Sequence, residues 1–239
     1  QSDIRRIHVG IVGTGGRGRS LLAGILSFPE VEVPAICDIN PDALAAARGI
    51  IAEREHQKPE EYSGHTDYLR LMDRKDLDAV LIATPWHLHT PMAVYSMKAG
   101  KTVGCEVPIA YTLDECWELI ETWEKTGTEC MMLENWSFRP DNLAVLNMIR
   151  RGLLGRISHV HCAHSHDCID HWFFDRETGA DRWGAKYLLE HNRDQYPTHQ
   201  QGPVLSWMDI NCGDRYDYIT STASGSFSIN AYFKRTFPG

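Results

Sequence analysis

The chain lacks a surplus of positive charge, a membrane-length apolar run and a paired cysteine motif. Its 239 residues carry 24 Lys and Arg against 32 Asp and Glu, a formal net charge of −8. The basic footprint of a nucleic-acid-binding protein is therefore missing. No apolar stretch approaches the ~20 residues that span a bilayer. The seven cysteines include no C-x-x-C pair, which argues against a disulfide framework and a zinc ribbon. We expect no nucleic-acid partner and no membrane span.

The start of the chain also lacks a signal peptide and an initiator methionine. The first residue is Gln1. This favours a periplasmic or otherwise exported protein whose leader has been removed, and a cytoplasmic location is the alternative. The length is sufficient for a full core and favours two domains over one.

A glycine-rich stretch follows the first β-branched run, at residues 7–12. Gly13, Gly15 and Gly18 have the G-x-G-x-x-G spacing of a strand that turns into a helix, which we place at residues 20–27. In such a turn the first glycine permits the bend, the second lets a pyrophosphate approach the main chain, and the third lets helix and strand pack closely. Free N–H groups at the helix start would hold the phosphates.

An acidic residue stands at the distance from this stretch that a ribose-binding group requires. A second apolar run at residues 31–37 leads to Asp38, 20 to 25 residues after the glycines. A carboxylate there would accept hydrogen bonds from the ribose hydroxyls. The pair of signals predicts dinucleotide binding, with NAD favoured over NADP.

The rest of the first half alternates helix and strand. Asn40 is a candidate N-cap for an alanine-rich helix, and Thr112 with Glu115 forms a capping box. Uninterrupted apolar strands such as AVLIA are typical of a parallel sheet. The alternation predicts an α/β, doubly wound Rossmann sheet in residues 1–135. We expect helices at residues 41–55, 67–72, 91–99 and 113–126, strands at 79–83, 101–105 and 129–133, and a polar loop at 56–64.

The pattern changes after residue 135, where a second domain over 136–239 is expected. An amphipathic helix at residues 140–151 ends at Gly152, and residues 157–164 alternate like a half-covered strand. Residues 165–195 have no periodicity and are expected to form a long functional loop. A helix at 202–210 and a strand at 226–233 complete the prediction.

Two short motifs follow predicted strands, at the carboxyl edge of the sheet where ligands bind. The first comprises Trp86, His87, Leu88 and His89, and the second is Glu106-Val107. The plain alternative is an ordinary proline-containing loop. Their position at strand ends favours contact with the cofactor.

Four histidines alternate in the second half. His159, His161, His164 and His166 are followed by Asp167. Zinc is the alternative interpretation, but no third ligand at a recognised spacing accompanies the histidines that share a face. We expect no metal.

The stretch Tyr196, Pro197, Thr198 and His199 places a phenol near an imidazole, ahead of a Gly-Pro turn. A buried packing pair is the plain interpretation. Both groups are also suited to proton transfer.

These motifs together resemble the Gfo/Idh/MocA oxidoreductase family. The order GIVGTGGRG, CDIN, ATPWHLH and AGKTVGCEVP is similar to that family over the whole first half. The ordinary sugar and polyol dehydrogenases of the family have a Lys after the Glu of E-K-P, and an Asp and a His on a helix of the second domain. Here Val107, Trp207 and Asn211 stand at those places, so ordinary dehydrogenase chemistry is not what the resemblance implies.

Where this sequence departs from the ordinary dehydrogenases, it resembles one branch of the family, the NAD-dependent α-N-acetylgalactosaminidases of glycoside hydrolase family 109. The shared motifs are EVPIA, LEN, VLNM, HD and YPTH, the last being the most specific. The resemblance implies a second α+β domain with a largely antiparallel sheet, incomplete in this chain. It implies that NAD is held by Gly13, Gly15, Gly16, Arg17, Gly18, Asp38, Trp86, His87, Leu88, His89, Glu106, Val107, Asn135 and Tyr196.

The same resemblance implies the sugar site and the chemistry. The sugar would contact His164, Tyr196, Pro197, Thr198 and His199. His199 and Tyr196 are the expected proton-transfer residues near C3 of the sugar, with Glu134 or His166 assisting. The expected partner is a small-molecule glycoside, and a homo-oligomer is left open. An NAD-dependent sugar or polyol dehydrogenase and a non-enzymatic sugar-binding relative are the alternatives.

Overall fold

The computed structural model describes residues 5–55, 58–195 and 197–237. The chain forms two compact units, Gln1–Leu133 and Glu134–Gly239. This division lies two residues before the boundary expected from the sequence.

The first unit is built on a six-stranded sheet with strand order β3-β2-β1-β4-β5-β6. Every neighbouring pair of these strands runs parallel. This is the doubly wound dinucleotide-binding order, so the Rossmann prediction is confirmed. The strands are β1 (Ile7–Val12), β2 (Val31–Cys37), β3 (Glu60–Tyr62), β4 (Ala79–Ile82), β5 (Thr102–Cys105) and β6 (Cys130–Met132).

Five helices accompany these strands in the described part of the unit, and the two caps expected from the sequence are present. The Asn40 side chain accepts from the Asp42 N–H at 2.9 Å. Thr112 and Glu115 form a capping box. Local caps thus fix helix starts that the sequence predicts to the residue. The helices are α1 (Gly16–Ile25), α2 (Pro41–Glu55), α3 (Asp67–Met72), α4 (His89–Lys98) and α5 (Leu113–Thr126).

Apolar residues are buried on both faces of the sheet. Ile11, Leu22 and Ile36 belong to the cluster that joins the sheet to α1 and α2. Val80 and Met97 belong to the cluster on the side of α3 and α4. Full burial of one such side chain contributes about 1.5–3 kcal/mol before conformational entropy is counted. The two clusters hold the carboxyl ends of the strands in a fixed arrangement.

Three predictions in this unit need correction. Residues 56–64 were expected to be a polar loop, but β3 lies there and pairs with β2, Ala35 facing Glu60. Its polar composition is that of a short edge strand, which is why it resembles a loop. Helix α1 begins at Gly16, four residues before the expected start, and α4 begins at His89, two residues before it.

The second unit is helical and irregular in its described part. The helix expected at residues 140–151 is confirmed as α6 (Pro140–Arg150). The other helices are α7 (Ala185–Glu190), α8 (Thr198–Trp207) and α9 (Phe227–Thr236). A π-helical turn, Ile169–Phe173, and α7 interrupt the stretch that was expected to be one long loop. Helix α8 also begins four residues before the expected start.

Both strand predictions for this unit, at residues 157–164 and 226–233, are wrong. Residues 157–164 are irregular, and their alternation finds no partner strand in the described part of the unit. All of the second stretch except Ser226 lies in α9, where the Phe233 ring packs against Phe174 at 4.7 Å and Phe237 at 5.6 Å. Aromatic spacing of four residues suits a helix. The antiparallel sheet of the expected fold class is not found in residues 134–195 and 197–237, which contain two isolated bridges.

None of the described helices combines the length and the apolar character that crossing a membrane requires.

Candidate functional site

In the glycine turn between β1 and α1, backbone segments lie so close together that side chains do not fit between them. Gly13 has φ +89°, and a Cβ there would lie 2.5 Å from the Ala83 carbonyl oxygen. A Cβ on Gly18 would lie 1.8 Å from the Gly13 carbonyl oxygen. Both distances are far shorter than a van der Waals contact. The turn therefore requires glycine at these two positions, as the sequence predicts.

The neighbouring glycines instead face open space. A Cβ on Gly15 or Gly16 would meet no atom within 4 Å. Helix α1 begins there without a side-chain cap. No capping side chain therefore accepts hydrogen bonds from the first N–H groups of the helix. Bare amides beside open space at a helix N-terminus suit a pyrophosphate. By this test the residues fit the dinucleotide that the motif implies.

Asp38 lies at the end of β2 beside the glycine turn. Its Oδ2 accepts from the Thr14 N–H at 2.6 Å and the Thr14 hydroxyl at 3.2 Å, and its Oδ1 accepts from the Asn40 N–H at 2.9 Å. A carboxylate offers about four acceptor sites, so these bonds orient it and leave capacity for a ribose hydroxyl. Sequence reasoning missed Thr14, although it lies inside the glycine motif.

Asp38 should make the protein prefer NAD to NADP, because its charge repels a 2′-phosphate. We expect NAD to bind at least roughly 10-fold more tightly in calorimetric titrations. Asp38→Ser should reduce the preference. Asp42→Ser, which removes an exposed acid nearby on α2, is the control and should preserve it. Equal affinities in the wild type would contradict this role of Asp38.

Arg17 and Glu106, both expected to contact the cofactor, meet in the structure. The Arg17 Nε lies 2.6 Å from the Glu106 Oε1, and the Glu106 side chain is 9% exposed. Glu106 Oε2 also accepts from the Val107 N–H at 3.3 Å. The contact ties the start of α1 to the end of β5. Two of the predicted segments are thereby brought to one edge of the sheet.

His89 is buried between two loops of this edge. Its ring nitrogens lie 2.7 Å from the carbonyl oxygens of Thr84 and Pro108, and the residue is 1% exposed. Burial lowers the pKa of His89 below its ordinary value, although the carbonyl contacts act in the opposite direction. These contacts position the two loops. Trp86 is buried too, whereas His87 is exposed and Leu88 half-buried; their contact with NAD stays a prediction.

In the second unit, Glu134 is buried and fully hydrogen-bonded. Its Oε1 accepts from the Trp136 N–H at 3.0 Å and contacts the His199 Nδ1 at 2.7 Å. Its Oε2 accepts from the Ser137 N–H at 2.8 Å and the Ser137 hydroxyl at 2.6 Å. Burial alone would raise the pKa of Glu134, but the bonds from Ser137, His199 and the backbone lower it below its usual value. Glu134 is therefore held as a carboxylate.

Aromatic rings surround this pair. The His199 ring stacks on Trp136, with centroids 5.3 Å apart, and lies edge-on to His164 at 5.3 Å. His164 in turn lies 5.6 Å from His166. The structure thus brings together Glu134, His164, His166 and His199, all named from the sequence. Trp136 was missed, although it follows the LEN motif directly.

A cavity of about 310 Å³ adjoins the cluster. Imidazole, indole and amide groups line it, a composition suited to a small polar ligand with apolar faces. His164, His199 and Trp136 belong to its wall. His161 and Trp207, which the sequence analysis also named, line it too. The lining residues that the sequence did not single out are Arg139, Asp141, Asn142, Cys162, Ala163, Gln200, Pro203 and Val204.

The other residues predicted for the second unit are close in sequence to His199 or Glu134. Tyr196 lies outside the described residues. Pro197 precedes α8 and Thr198 is its first residue, so both are adjacent to His199. Asn135 is exposed, next to Glu134 in the second unit. Within residues 5–55, 58–195 and 197–237, no group of three or more His, Cys, Asp or Glu side chains could hold a metal ion.

Two family models match the chain, one for each unit. The model described as "Oxidoreductase family, NAD-binding Rossmann fold" matches residues 7–134. The chain belongs to the Gfo/Idh/MocA oxidoreductase family. The model "Glycosyl hydrolase 109, C-terminal domain" matches residues 138–239. The matches confirm the resemblance stated from the sequence and NAD as the cofactor of the first unit.

Curated relatives are similar over nearly the whole chain. An alpha-N-acetylgalactosaminidase of Bacteroides fragilis is 41% identical over 233 residues, which cover 97% of this chain and 55% of the relative. A glycosyl hydrolase family 109 protein of Shewanella pealeana is 40% identical over 236 residues, with 97% and 51% covered. The chain spans about half the length of these relatives.

Solved structures share the fold. The aldose-aldose oxidoreductase of Caulobacter crescentus has a TM-score of 0.54 at 26% identity, covering 63% of this chain and 44% of that chain. The scyllo-inositol dehydrogenase of Lactobacillus casei, solved with NAD(H) and scyllo-inositol, has a TM-score of 0.56 at 20% identity, with 64% and 43% covered. The second likeness shows the fold alone.

Proposed function

We propose that the protein is an NAD-dependent glycosidase that cleaves α-N-acetylgalactosaminides by transient oxidation of the sugar. The observation that carries the proposal is the buried Glu134–His199 pair beside an open cavity of about 310 Å³, in a chain whose other unit has an NAD-type glycine turn. Most glycosidases use two carboxyl groups that flank the scissile bond. Here the buried carboxylate pairs with an imidazole, which suits proton transfer from a hydroxyl.

Bound NAD would supply a hydride acceptor for C3 of the sugar and return the hydride at the end of the cycle. The role of His199 is to take the proton of the C3 hydroxyl on Nε2, because Nδ1 is engaged by Glu134. Glu134 stabilises the imidazolium that results, as the buried acid of a catalytic triad does.

The ketone formed at C3 acidifies the hydrogen on C2. A second base removes that proton, and the anomeric substituent leaves with its bonding electrons and takes up a proton. Water then adds at C1 and a proton returns to C2, so the net reaction is hydrolysis. His166 is our candidate for this second proton transfer, since it lies beyond His164 in the imidazole cluster.

Hydrolysis by this route should label the released sugar. We expect purified protein to release nitrophenol from nitrophenyl α-N-acetylgalactosaminide only when NAD is present, without accumulating NADH. In heavy water, the released sugar should carry deuterium at C2. Mass spectrometry and proton NMR of the product measure this.

The same assay separates the alternatives. A sugar or polyol dehydrogenase would accumulate NADH with free sugars and release no nitrophenol. A non-enzymatic relative would bind the glycoside without turnover. Hydrolysis that leaves C2 fully protonated would contradict the oxidation and elimination route.

A further inference from the structure

The turn that follows Glu134 supplies more than half of its hydrogen bonds. Ser137 donates twice to the same oxygen, once from its N–H at 2.8 Å and once from its hydroxyl at 2.6 Å. With the Trp136 N–H and His199 on the other oxygen, the carboxylate has four partners. A carboxylate has about four acceptor sites. Glu134 therefore has no acceptor site left for a substrate and can act only through His199.

Helix α8 closes the remaining side of the carboxylate. His199 and Gly202 are three residues apart on this helix and so share a face. A Cβ on Gly202 would lie 2.4 Å from the Glu134 Oε2 and 2.5 Å from the Ser137 hydroxyl oxygen. The backbone of α8 thus lies directly against the Glu134–Ser137 contact. A side chain at position 202 would therefore collide with this contact.

We propose that Ser137 is a positioning residue, whose hydroxyl holds the Glu134 carboxylate in the orientation that engages the His199 ring. The inference rests on the proposed function, since it assigns a role within the same site. Among the four partners of Glu134, the Ser137 hydroxyl is the one that a side-chain substitution removes without removing the His199 contact itself. Hydrogen bonds to a charged group are stronger than those between neutral groups.

The test compares Ser137→Thr with Ser137→Val, because the two side chains have nearly the same shape and differ in the hydroxyl. We expect Ser137→Thr to keep most of the activity and Ser137→Val to lower kcat roughly 10- to 100-fold with little change in KM. Ser137→Ala serves as a second variant that adds no branched side chain. Ser206→Ala, at an exposed position of α8, is the control and should leave turnover unchanged.

A double-mutant cycle separates positioning from general stability. If Ser137 acts through His199, the loss caused by Ser137→Ala should nearly vanish in a His199→Ala background. Equal losses in both backgrounds, or equal activity of the Thr and Val variants, would overturn the inference. If the Ser137 variants give either of these results while His199→Ala still lowers NAD-dependent hydrolysis strongly, the proposed function stands and only the role of Ser137 fails.

A second readout does not depend on catalysis. The pKa of Glu134 is lowered in the folded protein, so this group adds stability above its unfolded pKa of about 4.3 and loses it as the pH falls through the folded pKa. The Thr variant should be more stable than the Val variant at pH 7. That difference should shrink below about pH 4 in denaturant titrations. A difference that is constant with pH would also overturn the inference.

Discussion

His199→Ala should lower turnover of the glycoside by about 10²- to 10⁴-fold while leaving NAD affinity unchanged. The Nδ1 contact at 2.7 Å from a buried carboxylate fixes the ring, and stacking on Trp136 limits its rotation. Such an imidazole can take a proton at one nitrogen while the carboxylate stabilises the charge at the other. Removing it deletes the proton acceptor for the C3 hydroxyl, and water in the space it leaves is a much weaker base.

The measurement is steady-state hydrolysis together with calorimetric NAD titration of the same preparation. NAD affinity should be retained because the predicted cofactor residues lie mainly in the first unit. His159→Ala is a matched control, since this histidine is exposed and does not line the cavity. Full activity of the His199→Ala variant would move the proton-transfer assignment to another residue.

The first unit could be predicted almost completely from the sequence, because its signals are local. The starts of α2 and α5 depend on Asn40 and Thr112, whose side chains cap helices within three residues. The buried parallel strands are continuous apolar runs. Strand β3 was missed because its pairing partner, β2, is remote in sequence and its own composition is polar.

The second unit could not be predicted in the same way. The contact between Glu134 and His199 spans 65 residues, and no local periodicity encodes it. Their motifs could be named, but the supporting contacts of Ser137 and Gly202 appear only when α8 lies against the 134–137 turn. The alternation at residues 157–164 indicates a strand only where a partner strand exists, and the described part of the unit offers none.

Gly18→Ala should destabilise the first unit by about 3 kcal/mol or more, at the upper end of overpacking effects. The new Cβ would lie 1.8 Å from the Gly13 carbonyl oxygen. The backbone fixes the position of the Cβ and the oxygen belongs to the backbone, so no side-chain rotation can relieve the contact. Either the turn opens or α1 moves away from β1, and both changes displace the N–H groups that would hold the pyrophosphate.

Thermal unfolding with and without NAD measures the effect. A loss of this size corresponds to a fall of roughly 6–12 °C in Tm for a chain of this length, and the stabilisation by added NAD should vanish with the binding site. Gly24→Ala is the matched control on the same helix, because a Cβ there meets no atom within 4 Å. Alanine is the better helix former, so this variant should gain up to about 1 kcal/mol. A Gly18→Ala variant that melts with the wild type and keeps its NAD response would show that the turn has room for a side chain, contrary to the close backbone approach described above.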